Sequence, residues 1–151
     1  MIAQAAAAQN VQQLPITGRS SPFVNWLGLR RIDLKEGRSV LGLTPTDHHQ
    51  NAHDIVHGGV LMTMLDVGMS SAARSALHSA DLAEADVGMI TIEMKATFMK
   101  PCSGELRVKG LCLSHTRSMA FCEAEIVDSH ERVCAKASGT FKVVRPKKEA
   151  A

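Results

Sequence analysis

At 151 residues the chain has a one-domain length, and a chain of that size buries roughly 70% of its unfolded surface without disulfide or metal staples. Its 45% apolar and 21% charged residues lie near the globular average and exclude wholesale disorder. A net charge of +2, one Trp and no Tyr exclude a dedicated nucleic-acid or membrane-surface protein, which needs a stronger basic bias or more stacking side chains.

Residues 1–20 are rich in Ala and Gln, carry Arg19 as their one charge, and are expected to form a flexible N-terminal arm. They lack the basic start and long apolar stretch of a secretory leader. Cys102, Cys112, Cys122 and Cys134 form no CxxC pair, which argues against a thiolate zinc site or a dithiol redox centre. The expected location is the cytoplasm. A single domain is expected over residues 21–145, followed by a basic tail over 146–151.

Within that domain Phe23, Trp26, Leu27 and Leu29 predict a short amphipathic helix, started by Ser21 and Pro22. A strand pair follows at Arg31–Leu34 and Val40–Leu43, with Glu36-Gly37 as its turn. Pro45 to Asp54 is polar, rich in His, Asn and Asp, and longer than a simple connection requires. The one long helix is predicted over Gly58–His78, where Leu61, Met64, Leu65, Gly68, Met69, Ala72 and Ala73 follow the 3.6 period. Its other positions are also small or apolar, so neighbouring structure should wrap it.

The run Ile90, Ile92, Met94, Ala96, Phe98 alternates with Thr91, Glu93, Lys95, Thr97 and predicts a half-buried strand. Leu106–Leu113, Met119–Val127 and Val133–Val143 continue as antiparallel strands, joined by turns at Ser114–Ser118 and Asp128–Arg132. The fold class is α+β, one long helix wrapped by an antiparallel meander.

Two features could carry chemistry. Asn51, then His57-Gly58-Gly59, stand at the start of the long helix, whose unpaired N–H groups and partial positive charge suit an oxygen bearing negative charge. The ordinary explanation is that His57 caps the helix while the glycines permit close packing. Asp66 is the only charged residue between Asp54 and Arg74, set among Met64, Leu65, Val67 and Met69. A carboxylate there requires a partner or a purpose. Thr63, Asp66, Ser70 and Arg74 share one helical stripe, so either a modest polar face or a general base or nucleophile accounts for it. Gly58 and Asp66 are about 12 Å apart along one helix, so they can act on one atom only from two copies of the chain. His48, His49, His53 and His57 suggest zinc, yet a solvated polar loop accounts for them more simply, and no metal is expected.

The string Asn51, His57-Gly58-Gly59, Asp66, heading a long apolar helix and followed by Ile90–Met94 and Phe98–Pro101, resembles the hotdog-fold acyl-CoA thioesterases, in particular the PaaI-like branch. The resemblance spans about residues 22–143. It implies a sheet of five to six strands around the helix, and hydrolysis of an acyl- or aryl-acyl-CoA without a cofactor. It also implies a cytoplasmic homo-oligomer, at least a dimer and by family habit a tetramer, with no nucleic-acid or membrane partner. The Gly58 N–H would polarise the thioester carbonyl with help from the Asn51 side chain, and His57 would orient the helix start. Asp66 from the partner subunit would attack or activate water, and Thr91 would position that water. Gly59, Ile90 and Thr91 would line the substrate, and Arg117 would meet a CoA phosphate. The alternatives are a hotdog hydratase or dehydratase, and a non-catalytic acyl-CoA-binding protein.

Overall fold

Ser21 and Pro22 start the first helix, α1 (Pro22–Leu27): the Ser21 hydroxyl accepts from the Val24 N–H, and the proline, with no N–H to leave unpaired, takes the first position. Gly28, at φ +82°, ends it. Strands β1 (Arg30–Lys35) and β2 (Arg38–Leu43) follow, turned by Glu36 and Gly37, both at positive φ. A single 3-10 turn at Asp47–His49 lies in the polar loop, and α2 runs over Gly58–His78. Then come β3 (Gly88–Phe98), β4 (Leu106–His115), β5 (Met119–Val127) and β6 (Val133–Val144). This computed structural model describes residues 21–78 and 87–145. The expected arm over 1–20 and tail over 146–151 lie outside the described residues.

The six strands form one antiparallel sheet in the order β1-β2-β4-β5-β6-β3, and α2 packs across it. The chain is therefore no plain meander. Strands β4, β5 and β6 follow one another, but β3 pairs with β6 and closes the far edge. This is the hotdog arrangement that the resemblance implied. Leu41, Met64, Leu65, Met69, Leu106, Val108, Ile126 and Phe141 fill the interface between helix and sheet.

Glycine sets how close α2 comes to the sheet. A Cβ on Gly68 would stand 2.7 Å from a Val108 methyl, and one on Gly110 would collide with the Gly68 carbonyl and with Ser39 Oγ at 2.6 Å. That carbonyl accepts from Ser39 Oγ (2.7 Å), and Ser75 Oγ accepts from the Gly37 N–H (2.9 Å), so two buried hydroxyls fix the helix to the β1–β2 hairpin. Overpacking this crossing with alanine would cost about 1–3 kcal/mol.

The wrapping of α2 is incomplete within one chain. Thr63, Asp66, Val67, Ser70 and Arg74 form a half-buried stripe between otherwise buried neighbours. Three of the polar members bind backbone carbonyls. Thr63 donates to the Gly59 carbonyl, Ser70 to the Val67 carbonyl and Arg74 Nε to the Val87 carbonyl. No helix among the described residues is long and apolar enough to cross a membrane.

Candidate active site

The polar loop builds the start of α2 through backbone closure. The Asn51 N–H donates to the Ile55 carbonyl (2.8 Å) and the His57 N–H to the His49 carbonyl (2.8 Å). Asn51 Oδ1 accepts from the N–H groups of His53 (2.8 Å) and Ile55 (3.4 Å). That amide oxygen is therefore committed to the turn, and its NH2 is what Asn51 can offer a ligand. His49 is buried. Its Nδ1 accepts from the Thr46 N–H (2.9 Å), which requires the hydrogen on Nε2, and Nε2 donates to the Leu27 carbonyl at 2.9 Å. The expectation of a solvated loop fails at this residue, which ties α1 to the loop as a buried strut. His48, His53 and His57 are exposed, and His53 and His57 do not share a helix.

His57 caps α2: its Nδ1 accepts from the Gly59 N–H at 2.8 Å. Gly59 is thus already satisfied, and the capping role that was one of two sequence readings is real. The Gly58 N–H finds no acceptor among the described residues. The Phe98 ring of β3 lies over it, 3.9 Å from where a Gly58 side chain would begin. Backbone, capping ring and aromatic edge leave one donor free at a helix N-terminus, the arrangement that stabilises a developing oxyanion.

Two turns further along α2, Asp66 Oδ1 accepts a 2.5 Å hydrogen bond from Thr91 Oγ1. A bulge makes this contact possible. In the pairing of β3 with β6, Thr91 stands opposite Phe141 and Glu93 opposite Thr140, so Ile92 is the extra residue. Phe141 is fully buried, so Thr91 shares the helix-facing side with it, while Glu93 turns outward and accepts from Thr140 Oγ1 (2.7 Å). The unbroken alternation read from the sequence, which placed Thr91 and Glu93 on one face, is corrected by this bulge. Ile90, beside Lys142 in register and 57% exposed, points away from Asp66, on the other side of the pleat from Thr91.

Arg117 stands in the β4–β5 turn, its carbonyl bound by the Arg145 guanidinium. Each cysteine is a free thiol. Burial is the first cause, and a hydrogen bond with Cys134 the second, of pushing the Cys102 thiol up to about 12, which makes it a poor nucleophile.

The sequence pattern of the thioesterase superfamily matches residues 53–135, from the turn before α2 into β6. The chain belongs to the thioesterase superfamily. It is 34% identical over 131 residues to a Pseudomonas aeruginosa protein named "Putative esterase PA0474", covering 82% of this chain and 89% of that one. Among solved structures it superposes on the conserved protein PA5202 of Pseudomonas aeruginosa with a TM-score of 0.76 and 26% identity, covering 84% and 97% of the two chains. It also superposes on the PaaI protein of the E. coli phenylacetic acid degradation operon, with a TM-score of 0.72 and 20% identity, covering 82% and 85%. Membership in the superfamily supports thioester hydrolysis as the general chemistry. The candidate groups thus lie on one helix: a free donor at Gly58, and a carboxylate at Asp66 about 12 Å away.

Proposed function

We propose that this thioesterase hydrolyses acyl- or aryl-acyl-CoA to the free acid and CoA, with each site shared between two copies of the chain. The observation that carries this reading is the state of Asp66. It sits on the unwrapped stripe of α2, one oxygen held by Thr91 and the other without a protein partner among the described residues. In one copy the Gly58 N–H and the Asn51 amide bind the thioester carbonyl oxygen, with His57 fixing the helix start. In the other, Asp66 either attacks the carbonyl carbon or takes a proton from the attacking water, which Thr91 positions. In both routes the C–S bond breaks, the thiolate leaves as CoA after protonation, and water supplies the new carboxyl oxygen. Arg117 is a candidate for a CoA phosphate.

Sharing requires an interface, and β3 supplies an edge for one. Among the described residues it pairs with β6 alone, and its Ile92 and Phe98, with Met99 just beyond it, are 53%, 49% and 47% exposed. Pairing of two β3 edges across a two-fold axis would extend the sheet, with a further pairing of dimers giving a tetramer. Four free thiols suit a reducing cytoplasm.

The reaction class is read from thiol release. Acyl-CoAs should release free thiol, whereas enoyl- and hydroxyacyl-CoA should be neither hydrated nor dehydrated, and the opposite pattern would overturn the reading. Sharing is tested by mixing Asp66→Asn and Gly58→Pro after mild dissociation. Proline is tolerated at the first helical position but lacks the N–H. Each mixed dimer then holds one intact site, and about a quarter of wild-type activity should return in a random mixture. No recovery, with hetero-dimers demonstrably formed, would sink the shared site.

A further inference from the structure

The four cysteines, which no CxxC spacing joins, are brought together two by two. Cys112 of β4 stands directly opposite Cys122 of β5 in the strand register. Cys102, beyond the end of β3, and Cys134 of β6 form the second pair, their side chains hydrogen-bonded to each other. Register decides how closely the first pair meets. The Cys112 N–H donates to the Gly37 carbonyl (2.8 Å), on the β2 side, so it points away from β5. In an antiparallel ladder that makes Cys112 and Cys122 a non-hydrogen-bonded pair, with Cα atoms about 4.5 Å apart and side chains on one face. A disulfide spans Cα separations of roughly 4.4–6.8 Å, so these two sulfurs can join without moving either strand.

The two pairs differ in chemistry. Cys122 is buried in the core and Cys112 is half-buried. The Cys122 S–H donates to the Cys112 sulfur, which donates in turn to the Ser114 carbonyl at 3.6 Å. The hydrogen bond from Cys122 is the first cause, opposed by burial, of holding the Cys112 thiol below its usual range. The same bond leads in pushing the Cys122 thiol up. Thiol–disulfide exchange requires an accessible thiolate with a second thiol beside it, and this pair supplies both. The other pair does not. Burial leads in pushing Cys102 up to about 12, the Asp128 carboxylate adds to the rise, and Cys134 is fully buried. Cys112 borders Gly37 together with Ala76 of α2, about 15 Å along the helix from Asp66, so its chemistry is separate from the thioester site.

We propose that Cys112 and Cys122 are a redox modification site, a dithiol that a small-molecule disulfide closes into a bridge between β4 and β5 while Cys102 and Cys134 stay reduced. The Cys112 thiolate attacks one sulfur of the small disulfide, forming a mixed disulfide and expelling one small thiol. Cys122 then gives up its proton and attacks the Cys112 sulfur, expelling the second. Two protein thiols are oxidised, and one small disulfide is reduced to two thiols. The bridge staples the hairpin whose turn carries Arg117 and restricts the unfolded chain. The probe is oxidised glutathione applied to the folded full chain, followed by alkylation and peptide mass mapping. Trypsin cuts after Lys95, Arg107, Lys109, Arg117, Arg132 and Lys136 and places each cysteine in its own peptide. Peptide 110–117 should be joined to peptide 118–132, with Cys102 and Cys134 alkylated. Four unreacted thiols, glutathione retained on Cys112, or a link through Cys102 or Cys134 overturns the assignment. Cys122→Ala should trap glutathione on Cys112, and Cys112→Ser should slow thiol loss about tenfold or more. Equal rates in Cys112→Ser and the wild type would overturn the order of attack. Oxidised protein should melt about 4 °C or more above reduced protein, and dithiothreitol should reverse the shift. A lower Tm after oxidation would show that the strands had to move, and overturns the geometry.

Discussion

Asp128, in the turn between β5 and β6, is fully buried, and both of its oxygens are committed. Oδ1 accepts from the N–H groups of His130 (2.9 Å) and Arg132 (3.1 Å), and Oδ2 from the Arg132 guanidinium at 2.9 and 2.6 Å. Hydrogen bonding by Arg132 is the first cause of holding its carboxyl down at about 2. Asp66, on α2, is half-buried and receives one hydroxyl. The first carboxylate has no capacity left for chemistry and closes a turn. The second has an oxygen to spare on the side of the helix that a single chain leaves unwrapped. Burial and charge alone do not separate them in this way, because Asp128 is the more buried acid; the number of donors already satisfied does.

The contrast is broken most directly at Asp66. Asp66→Asn keeps the shape and should lower kcat at least about 100-fold while shifting Tm little, measured by thiol release and thermal denaturation. Near-wild-type turnover would remove Asp66 from the mechanism. Asp128→Asn should do the reverse: Tm falls by about 5 °C or more, since Arg132 and two N–H groups lose a charged acceptor, while turnover per folded molecule holds. A variant that melts like the wild type would show that the turn does not depend on this charge.

The pH profile sharpens the same comparison. The folded carboxyl of Asp128 lies below its unfolded value of roughly 3.9, so its contribution is fully present above that value. It is lost as pH falls from about 4 towards about 2. Wild-type Tm should therefore drop more steeply across that window than the Tm of Asp128→Asn, and parallel profiles would contradict the linkage. The smallest expected effect lies beside Asp66. Thr91→Val removes the hydroxyl at constant volume and should lower kcat about tenfold with KM little changed, and Thr91→Ser should restore most of it. Full activity in Thr91→Val would show that the 2.5 Å contact is dispensable.

Much of the fold was legible because it is local. The period-3.6 run over Gly58–His78, the Ser21-Pro22 start, the Glu36-Gly37 turn and the later strands each announce themselves within a few residues, and each forms. The string at the start of α2 was legible for the same reason, since a lone Asp among Met and Leu stands out in any window. The placement of α1 against the start of α2 was not. Phe23 and Trp26 read as one face of a short amphipathic helix, and only the His49 strut sets that face beside His57.

The sequence by itself determined which segments become helix or strand, and that a carboxylate and a glycine-led helix start lie two turns apart. Tertiary structure alone decided that β3 leaves its neighbour in sequence and closes the sheet beyond β6. It also decided that the extra residue at Ile92 turns Thr91 onto Asp66. Side-chain period and capping act over a few residues and leave a pattern in the chain. Strand order and bulge position depend on pairing energies between residues as far apart as Thr91 and Phe141, which no local window contains.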